Sequence, residues 1–125
     1  MKRIAIAMSI LAALAFATAA IATGTITGKY TTTITAPASV AGRWTLDFKT
    51  NGTGTVAFDG QLTGNVFTVK GSKLTAPGGK GHSCPNVGTY RIHLAGKHLT
   101  FTVIKDECTV GRKLVLPGHT YTKVG

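Results

Sequence analysis

Residues 88–105 read GTYRIHLAGKHLTFTVIK, and this stretch decides the fold of the chain. On either side of Gly96-Lys97 the sequence alternates between apolar and polar residues. Alternation with a period of two places one face of a strand in a core and the other in water. A glycine-containing pair between two such runs is typical of a two-residue hairpin turn. The stretch therefore predicts an antiparallel β-hairpin.

The register of this hairpin follows from its turn. With Gly96-Lys97 as the two turn residues, Ala95 pairs with His98. The apolar residues then face one another in the pairs Leu94–Leu99, Ile92–Phe101 and Tyr90–Val103. A slip of one residue would send every side chain to the opposite face, so the register is strongly specified.

The same alternation recurs along the chain, for example at 43–49, and no stretch shows a helical period of 3.6. Turn signals separate the runs at Asn51-Gly52, Asp59-Gly60, Gly64-Asn65 and Gly71-Ser72. Strands are predicted at 25–34, 42–50, 54–60, 65–70, 73–76, 87–95, 97–105, 112–116 and 119–124. Eight or nine short strands joined by tight turns indicate an up-and-down barrel or a sandwich.

Three connections have their own signals. Residues 36–41 predict a loop or a single helical turn, and 77–86 predict a long loop because they are rich in glycine and proline. Asn51-Gly52-Thr53 fits an N-glycosylation sequon, but Asn-Gly is also favoured in hairpin turns. We interpret it as a turn.

The N-terminus has the three parts of a secretory signal. Lys2 and Arg3 are followed by an apolar run from Ile4 to Phe16 and then by Ala-x-Ala steps. The alternative is an uncleaved anchor, since residues 4–22 are nearly long enough to span a bilayer. The Ala-rich run and the cleavage-type spacing favour a signal peptide at 1–22, with cleavage after Ala22, or after Ala19 as the rival site. Residues 23–125 then form one domain, secreted or held in the cell envelope or periplasm.

Two cysteines in an exported chain predict a disulfide between Cys84 and Cys108. Extending the ladder of the 88–105 hairpin brings Cys84 opposite the neighbourhood of Cys108, so the bond would close the open end of the hairpin. The pair is not spaced as Cys-x-x-Cys, which argues against a thiol-redox role.

The chain is strongly basic, with 14 Lys and Arg against four Asp and Glu and a net charge of +10. Such a charge favours anionic partners, for example cell-wall polymers or lipid headgroups. The cations are spread along the chain without a run of five or six, so a solvated basic surface is the simpler interpretation. We expect no sequence-specific nucleic-acid partner, and we expect a monomer.

Two groups of residues carry a family resemblance. Gly42-Arg43-Trp44 resembles the Gly-x-Trp start of the calycin barrels, which include lipocalins and avidins. The ordered set Gly88-Thr89-Tyr90-Arg91, Leu99-Thr100-Phe101-Thr102, Asp106-Glu107-Cys108 and Arg112 resembles secreted bacterial lipocalin-like proteins. Tyr121 stands where that group more usually has tryptophan. The resemblance covers residues 25–124.

The resemblance implies an all-β, antiparallel, up-and-down eight-stranded barrel. It also implies that Arg112 packs over the Trp44 indole and closes one end of the barrel, a structural role. Barrels of eight strands are either filled by side chains or hold one small ligand. The candidate ligand-binding residues are those predicted to point inward: Trp44, Leu46, Phe48, Phe58, Phe67, Tyr90, Ile92, Phe101 and Val103.

Catalysis and metal binding have weaker signals. His82, His93, His98 and His119 show no zinc spacing and few carboxylates accompany them, so we interpret them as solvent-facing and expect no metal or cofactor. Asp106 and Glu107 are adjacent and would point to opposite faces of a strand. The sequence contains no nucleophile motif, and we expect no enzyme activity.

Two functional hypotheses remain open. The first is a secreted, non-catalytic barrel that binds a small apolar or amphipathic molecule. The alternative is an envelope- or protein-interaction domain that binds an anionic polymer, or inhibits an enzyme, through its basic outer surface.

Overall fold

The computed structural model describes residues 26–79, 84–108 and 111–125. The predicted signal peptide, both candidate cleavage sites and His82 lie outside these residues. The strands, in chain order, are β1 (Gly28–Ile34), β2 (Gly42–Phe48), β3 (Thr53–Phe58), β4 (Gln61–Lys70), β5 (Lys73–Ala76), β6 (Gly88–Ala95), β7 (His98–Lys105) and β8 (Tyr121–Val124).

These strands form a closed antiparallel barrel in which each pairs with its neighbours in the sequence. β1 pairs with β8 to close it, with Lys29 opposite Val124 and Thr31 opposite Thr122. The up-and-down eight-stranded barrel is therefore confirmed, and the sandwich alternative is wrong. Each strand therefore has a paired neighbour on both sides.

The register predicted for the 88–105 hairpin is confirmed. Ala95 pairs with His98, and the three apolar pairs from Leu94–Leu99 to Tyr90–Val103 lie opposite one another as expected. The register shifts between Thr89 and Tyr90, where Thr89 pairs with Lys105. The position of the turn and the apolar–polar alternation of the sequence were therefore sufficient to predict this register.

Two local predictions are wrong. Residues 112–116 were expected to form a strand, but a short helix, α1 (Arg112–Val115), forms there instead. Val115 and Leu116 are both buried, and a strand would have sent neighbouring side chains to opposite faces. A segment of five residues is too short to distinguish the period of two residues of a strand from the period of 3.6 residues of a helix.

Gly64-Asn65 was expected to be a turn, but β4 runs through it from residue 61 to 70. The ladder between β3 and β4 shifts register between Thr55 and Ala57, so Gly64 lies in a β-bulge with φ +84°. The Thr63 hydroxyl fixes the bulge by donating to the Val56 carbonyl at 3.0 Å and accepting from the Asn65 N–H at 3.2 Å.

The other connections agree with the sequence. Asp59-Gly60 joins β3 and β4 as a tight turn, with φ 49° and 85°. A 3-10 helix spans Ala38–Val40. Thr53 donates from both its N–H and its hydroxyl to the side-chain amide oxygen Oδ1 of Asn51, and the turn interpretation of residues 51–53 is confirmed.

The barrel has two different ends. At the hairpin end, the turns at 49–52, 71–72 and 96–97 join strands directly, and β1 begins and β8 ends there. At the loop end, the connections are the 3-10 helix, the turn at 59–60, the loop from 77 to 87 and the segment from 106 to 120.

Aromatic side chains fill the barrel interior towards the hairpin end. Tyr30 and Phe48 meet edge to face with ring centroids 5.6 Å apart, and Phe48 meets Phe67 at 5.0 Å. Phe101 and Tyr121 form a third edge-to-face pair at 5.7 Å. Such arrangements are favourable beyond the area they bury.

Candidate functional site

The loop end is held by a buried carboxylate, Asp106, directly after β7. The Arg112 guanidinium donates to its two oxygens from Nε at 2.7 Å and from a terminal nitrogen at 3.1 Å. The Cys108 N–H donates to the same carboxylate at 2.9 Å, and the Tyr90 hydroxyl donates a further hydrogen bond. The Asp106 side chain is fully buried and that of Arg112 is 13% exposed.

Arg112 also connects this carboxylate to the long loop. Its guanidinium donates to the Pro77 carbonyl at 3.2 Å and to the Asn86 carbonyl. One side chain therefore joins both limbs of the 77–87 loop to the segment after β7. A Cβ on Gly88 would lie 2.7 Å from Arg112 Nε and from the Asp106 carboxylate, so only glycine leaves room for the pair.

The same contacts determine the protonation states. Burial alone would raise the pKa of Asp106, but Arg112, the Tyr90 hydroxyl and the Cys108 N–H together hold it below its usual value. Burial, and then the hydrogen bond and negative charge of Asp106, raise the pKa of Tyr90. At neutral pH the carboxylate is therefore ionised and the phenol is neutral, as the direction of the hydrogen bond requires.

The Cys84–Cys108 disulfide is present, with Cα atoms 5.8 Å apart. It joins the 77–87 loop to the segment after β7 and lies beside the Asp106–Arg112 pair in sequence. The loop end is thus held by one covalent bond and one buried ion pair.

A cavity of about 160 Å³ lies beneath this loop end. One wall is formed by side chains of β2 to β5, and the other by the long loop and α1. The polar side chains in the wall are those of Asn65 and Arg112. The remaining lining residues are Trp44, Leu46, Val56, Val66, Phe67, Leu74, Ala76, Pro77, Cys84, Gly111, Val115 and Leu116.

The predicted inward residues divide between this cavity and the filled part of the barrel. Trp44, Leu46 and Phe67 line the cavity. Phe58 is partly buried beside it, with its ring 4.7 Å from that of Trp44. The others belong to the core but not to the cavity lining: Phe48, Tyr90, Ile92, Phe101 and, partly buried, Val103.

Arg112 and Trp44 do reach the same cavity. The Trp44 indole N–H donates to the Val40 carbonyl at 2.8 Å, and its ring pairs with Phe58. The guanidinium of Arg112 is held by Asp106 and two backbone carbonyls. The predicted packing of Arg112 over the indole stays a prediction.

Several lining residues escaped the sequence analysis. Leu74 and Ala76 alternate along β5 and could have been assigned inward by period alone. Val56 pairs with Leu46 across β2 and β3, so the register would have supplied it. Asn65 and Val66 line the cavity at the bulge of β4, and Val115 and Leu116 line it from α1 and its C-terminal end. Neither the bulge nor the helix was predicted from the sequence.

The three described histidines, His93, His98 and His119, do not line the cavity. His93 and His98 are exposed on the outside of the β6–β7 hairpin and lie near hydroxyls of Thr102 and Thr122. A ring nitrogen of His119 lies 2.9 Å from the Leu114 carbonyl. Among the described residues, no group of three or more His, Cys, Asp or Glu side chains is placed to hold a metal ion.

In the described parts of the chain, no helix is long and apolar enough to cross a bilayer. Comparison of the chain with protein-family models, with curated proteins and with solved structures found no match in any of the three.

Proposed function

We propose that this chain is an exported, lipocalin-like, non-catalytic protein that binds one small apolar or amphipathic molecule in the cavity beneath its loop end. The cavity itself is the observation that carries the proposal. Its walls are mostly apolar. Of their two polar side chains, Arg112 is held by Asp106, and Asn65 is the one that could orient a ligand. Predominantly apolar pockets with a few placed polar groups are typical of small-molecule sites.

The volume sets the size of the ligand. A dry apolar cavity of about 150 Å³ is known to admit benzene, and the cavity here measures about 160 Å³. The ligand class is therefore a single ring or a short branched chain, with any polar group directed at Asn65. For a ligand of this size we expect a dissociation constant between about 1 mM and 1 μM, which corresponds to a binding free energy of about 4 to 8 kcal/mol.

The lipocalin-like assignment is supported by the closed eight-stranded barrel and by the position of the Gly-x-Trp residues at the start of β2. Export is supported by the signal pattern of residues 1–22 and by the disulfide, which is typical of oxidising compartments. A non-catalytic role is supported by the engagement of Asp106 in the buried ion pair and by the outward position of His93 and His98.

Trp44 is the chain's single tryptophan and lines the cavity, so its fluorescence reports occupancy directly. We would titrate residues 23–125 with benzene and with cyclohexane and follow Trp44 emission. We expect a saturable change. No response from a folded protein to either ligand would refute the proposal.

A pair of variants separates cavity binding from surface adsorption. Ala76→Leu places three carbons in the cavity and should abolish the response. Ala57→Leu makes the same chemical change on the outer face of β3, where Ala57 pairs with Thr45 and Leu62, and should leave the response intact. Equal responses from both variants would place the ligand outside the cavity.

Native mass spectrometry of the secreted protein addresses the natural ligand and export together. The intact mass reports cleavage after Ala22 or Ala19. A bound mass that disappears on denaturation would give a ligand to identify. A chain recovered with its first 22 residues still attached would contradict the signal-peptide assignment.

A further inference from the structure

Charge is distributed unequally between the two ends of the barrel. Among the described residues, the half nearer the hairpin end carries seven cations and a single carboxylate, that of Asp47. The half nearer the loop end carries four cations and three carboxylates. The net positive charge of the chain is therefore concentrated towards the hairpin end.

Three of these cations form a row across adjacent strands. Lys70 is directly opposite Lys73, and Lys73 is directly opposite Arg91. Directly paired residues share one face of a sheet with Cβ atoms about 4.5–5.5 Å apart. All three are exposed, while the inward neighbours Leu74 and Tyr90 are buried. The row thus lies on the outer surface of β4, β5 and β6.

Like charges placed directly opposite one another destabilise a sheet. No carboxylate of the chain lies on these three strands. Asp47 pairs with Lys49 at 2.9 Å, Asp106 pairs with Arg112, and Arg91 is 3.4 Å from the neutral Ser72 hydroxyl. The row therefore lacks internal neutralisation, and an external anion would remove its repulsion.

A polar depression of about 310 Å³ continues the row past Lys70. It lies between the turn at 49–52 and the turn at 71–72, and its rim includes Lys49, Asn51 and Lys70. Lys70 belongs to both features, so the depression adjoins the row at this residue. Its lining also includes the apolar side chains of Ile26, Phe48 and Val69, while Lys49, Asn51 and Lys70 supply hydrogen-bond donors.

We propose that this surface, formed by Lys70, Lys73, Arg91 and the depression beside Lys70, binds an extended phosphate-bearing polyanion. The row spans two strand spacings, about 10 Å, and the depression lengthens it in one direction, which suits a linear partner. Each exposed cation contributes little by itself because water and salt screen it. A polymer that engages several at once gains through counterion release.

The neighbouring outward row argues against a membrane as the partner. Thr68, Thr75 and Thr89 pair across the same three strands. Binding to a bilayer interface normally combines cations with apolar or aromatic side chains that enter it, and hydroxyls cannot serve that purpose. They can donate hydrogen bonds to phosphate oxygens.

The test uses residues 23–125 and long-chain inorganic polyphosphate, with affinity measured over a range of salt concentrations. The variant Lys70→Gln/Lys73→Gln/Arg91→Gln should bind at least about tenfold more weakly, and the slope of log K against log salt should shrink by about 2 to 3. The control variant Arg43→Gln/Lys105→Gln/Lys113→Gln removes the same charge at the loop end and should keep affinity within about threefold.

Three results would overturn the proposal. Equal losses in both triple variants would mean that net charge alone attracts the polymer. Unchanged binding by the row variant would exclude the site. Tighter binding to anionic phosphatidylglycerol vesicles than to polyphosphate at equal phosphate concentration would make a membrane the partner. Thermal unfolding controls for folding, and the row variant should melt at the same or a higher temperature because repulsion is relieved.

Discussion

At the hairpin end, tight turns join the strands and aromatic rings fill the interior, whereas at the loop end longer connections are tied together over an unfilled cavity. The hairpin-end turns are held by local side-chain contacts, such as Asn51 accepting from Thr53, and by backbone hydrogen bonds to the next strand, such as that from the Val69 N–H to the Gly52 carbonyl. The loop end depends in addition on side-chain and covalent links between connections distant in sequence, among them Arg112 with Pro77 and Cys84 with Cys108. Covering a cavity requires long connections, and long connections require cross-links because they lose more conformational entropy on folding.

Of the variants that test this difference between the ends, Asp106→Asn is expected to lower the free energy of unfolding most. It leaves the Arg112 guanidinium buried beside a neutral group, and we expect a loss of about 3 to 5 kcal/mol in the free energy of unfolding. Urea denaturation measures it. The adjacent Glu107→Gln is the matched control, because Glu107 is exposed, and it should change stability by no more than about 0.5 kcal/mol. Similar losses in both variants would contradict the structural role of the pair.

Removing the disulfide should have the next largest effect. Cys84 and Cys108 are 24 residues apart, and in the chain-entropy account Cys84→Ala/Cys108→Ala lowers the free energy of unfolding by about 3 to 4 kcal/mol. Hydrogen exchange sharpens the comparison. Amides in the 84–88 and 106–108 segments should lose protection first, while those flanking the 96–97 turn retain it. Uniform loss of protection at both ends would show that the ends are not independent.

The interior is tightly packed near the hairpin end and contains a cavity near the loop end, and two small-to-large variants test this difference. A Cβ on Gly54 would lie 2.1 Å from the Phe67 ring, so Gly54→Ala should cost about 1 to 3 kcal/mol. Ala76→Leu adds more atoms but places them in the cavity, and it should change stability by about 1 kcal/mol or less, or increase it. Thermal or urea unfolding measures both, and a larger cost for Ala76→Leu would mean that the cavity is not available space.

The smallest expected effect is the pH dependence of the stability that Asp106 contributes. The folded-state pKa of Asp106 is lowered, so its contribution to stability is fully present above its unfolded pKa of about 4. It is lost as pH falls through the lower folded-state value. The difference in urea midpoint between the wild type and Asp106→Asn should therefore be constant from pH 7 to about 5 and shrink below about 4. A difference that grows on acidification would have the wrong sign.

How much of this was predictable from sequence differs between the same two ends. The strands, the 88–105 register and the disulfide followed from alternation and from the positions of Cys84 and Cys108, because period two is a local property that tertiary packing preserves. The cavity did not follow. The predicted inward set included Phe48 and Ile92, which pack in the filled interior, because alternation indicates which face is inside and carries no information about volume.

The other features that the sequence did not predict depend on contacts between strands. The bulge at Gly64 depends on the Thr63 hydroxyl bonding to a carbonyl on the next strand, and that partner is known only once the register is known. The role of Asp106 at the loop end was not predicted from the sequence, because its partners Tyr90 and Arg112 come together only in the closed barrel. Sequence spacing alone does not distinguish a buried structural carboxylate from a reactive one.

Pairing of β1 with β8 makes closure of the barrel depend on contacts almost 100 residues apart. Lys29 meets Val124 across the closing seam, so until β8 has emerged both β1 and β7 are unpaired edges. Contacts this distant in sequence form slowly. Deleting residues 121–125 would leave an open sheet prone to edge-to-edge association.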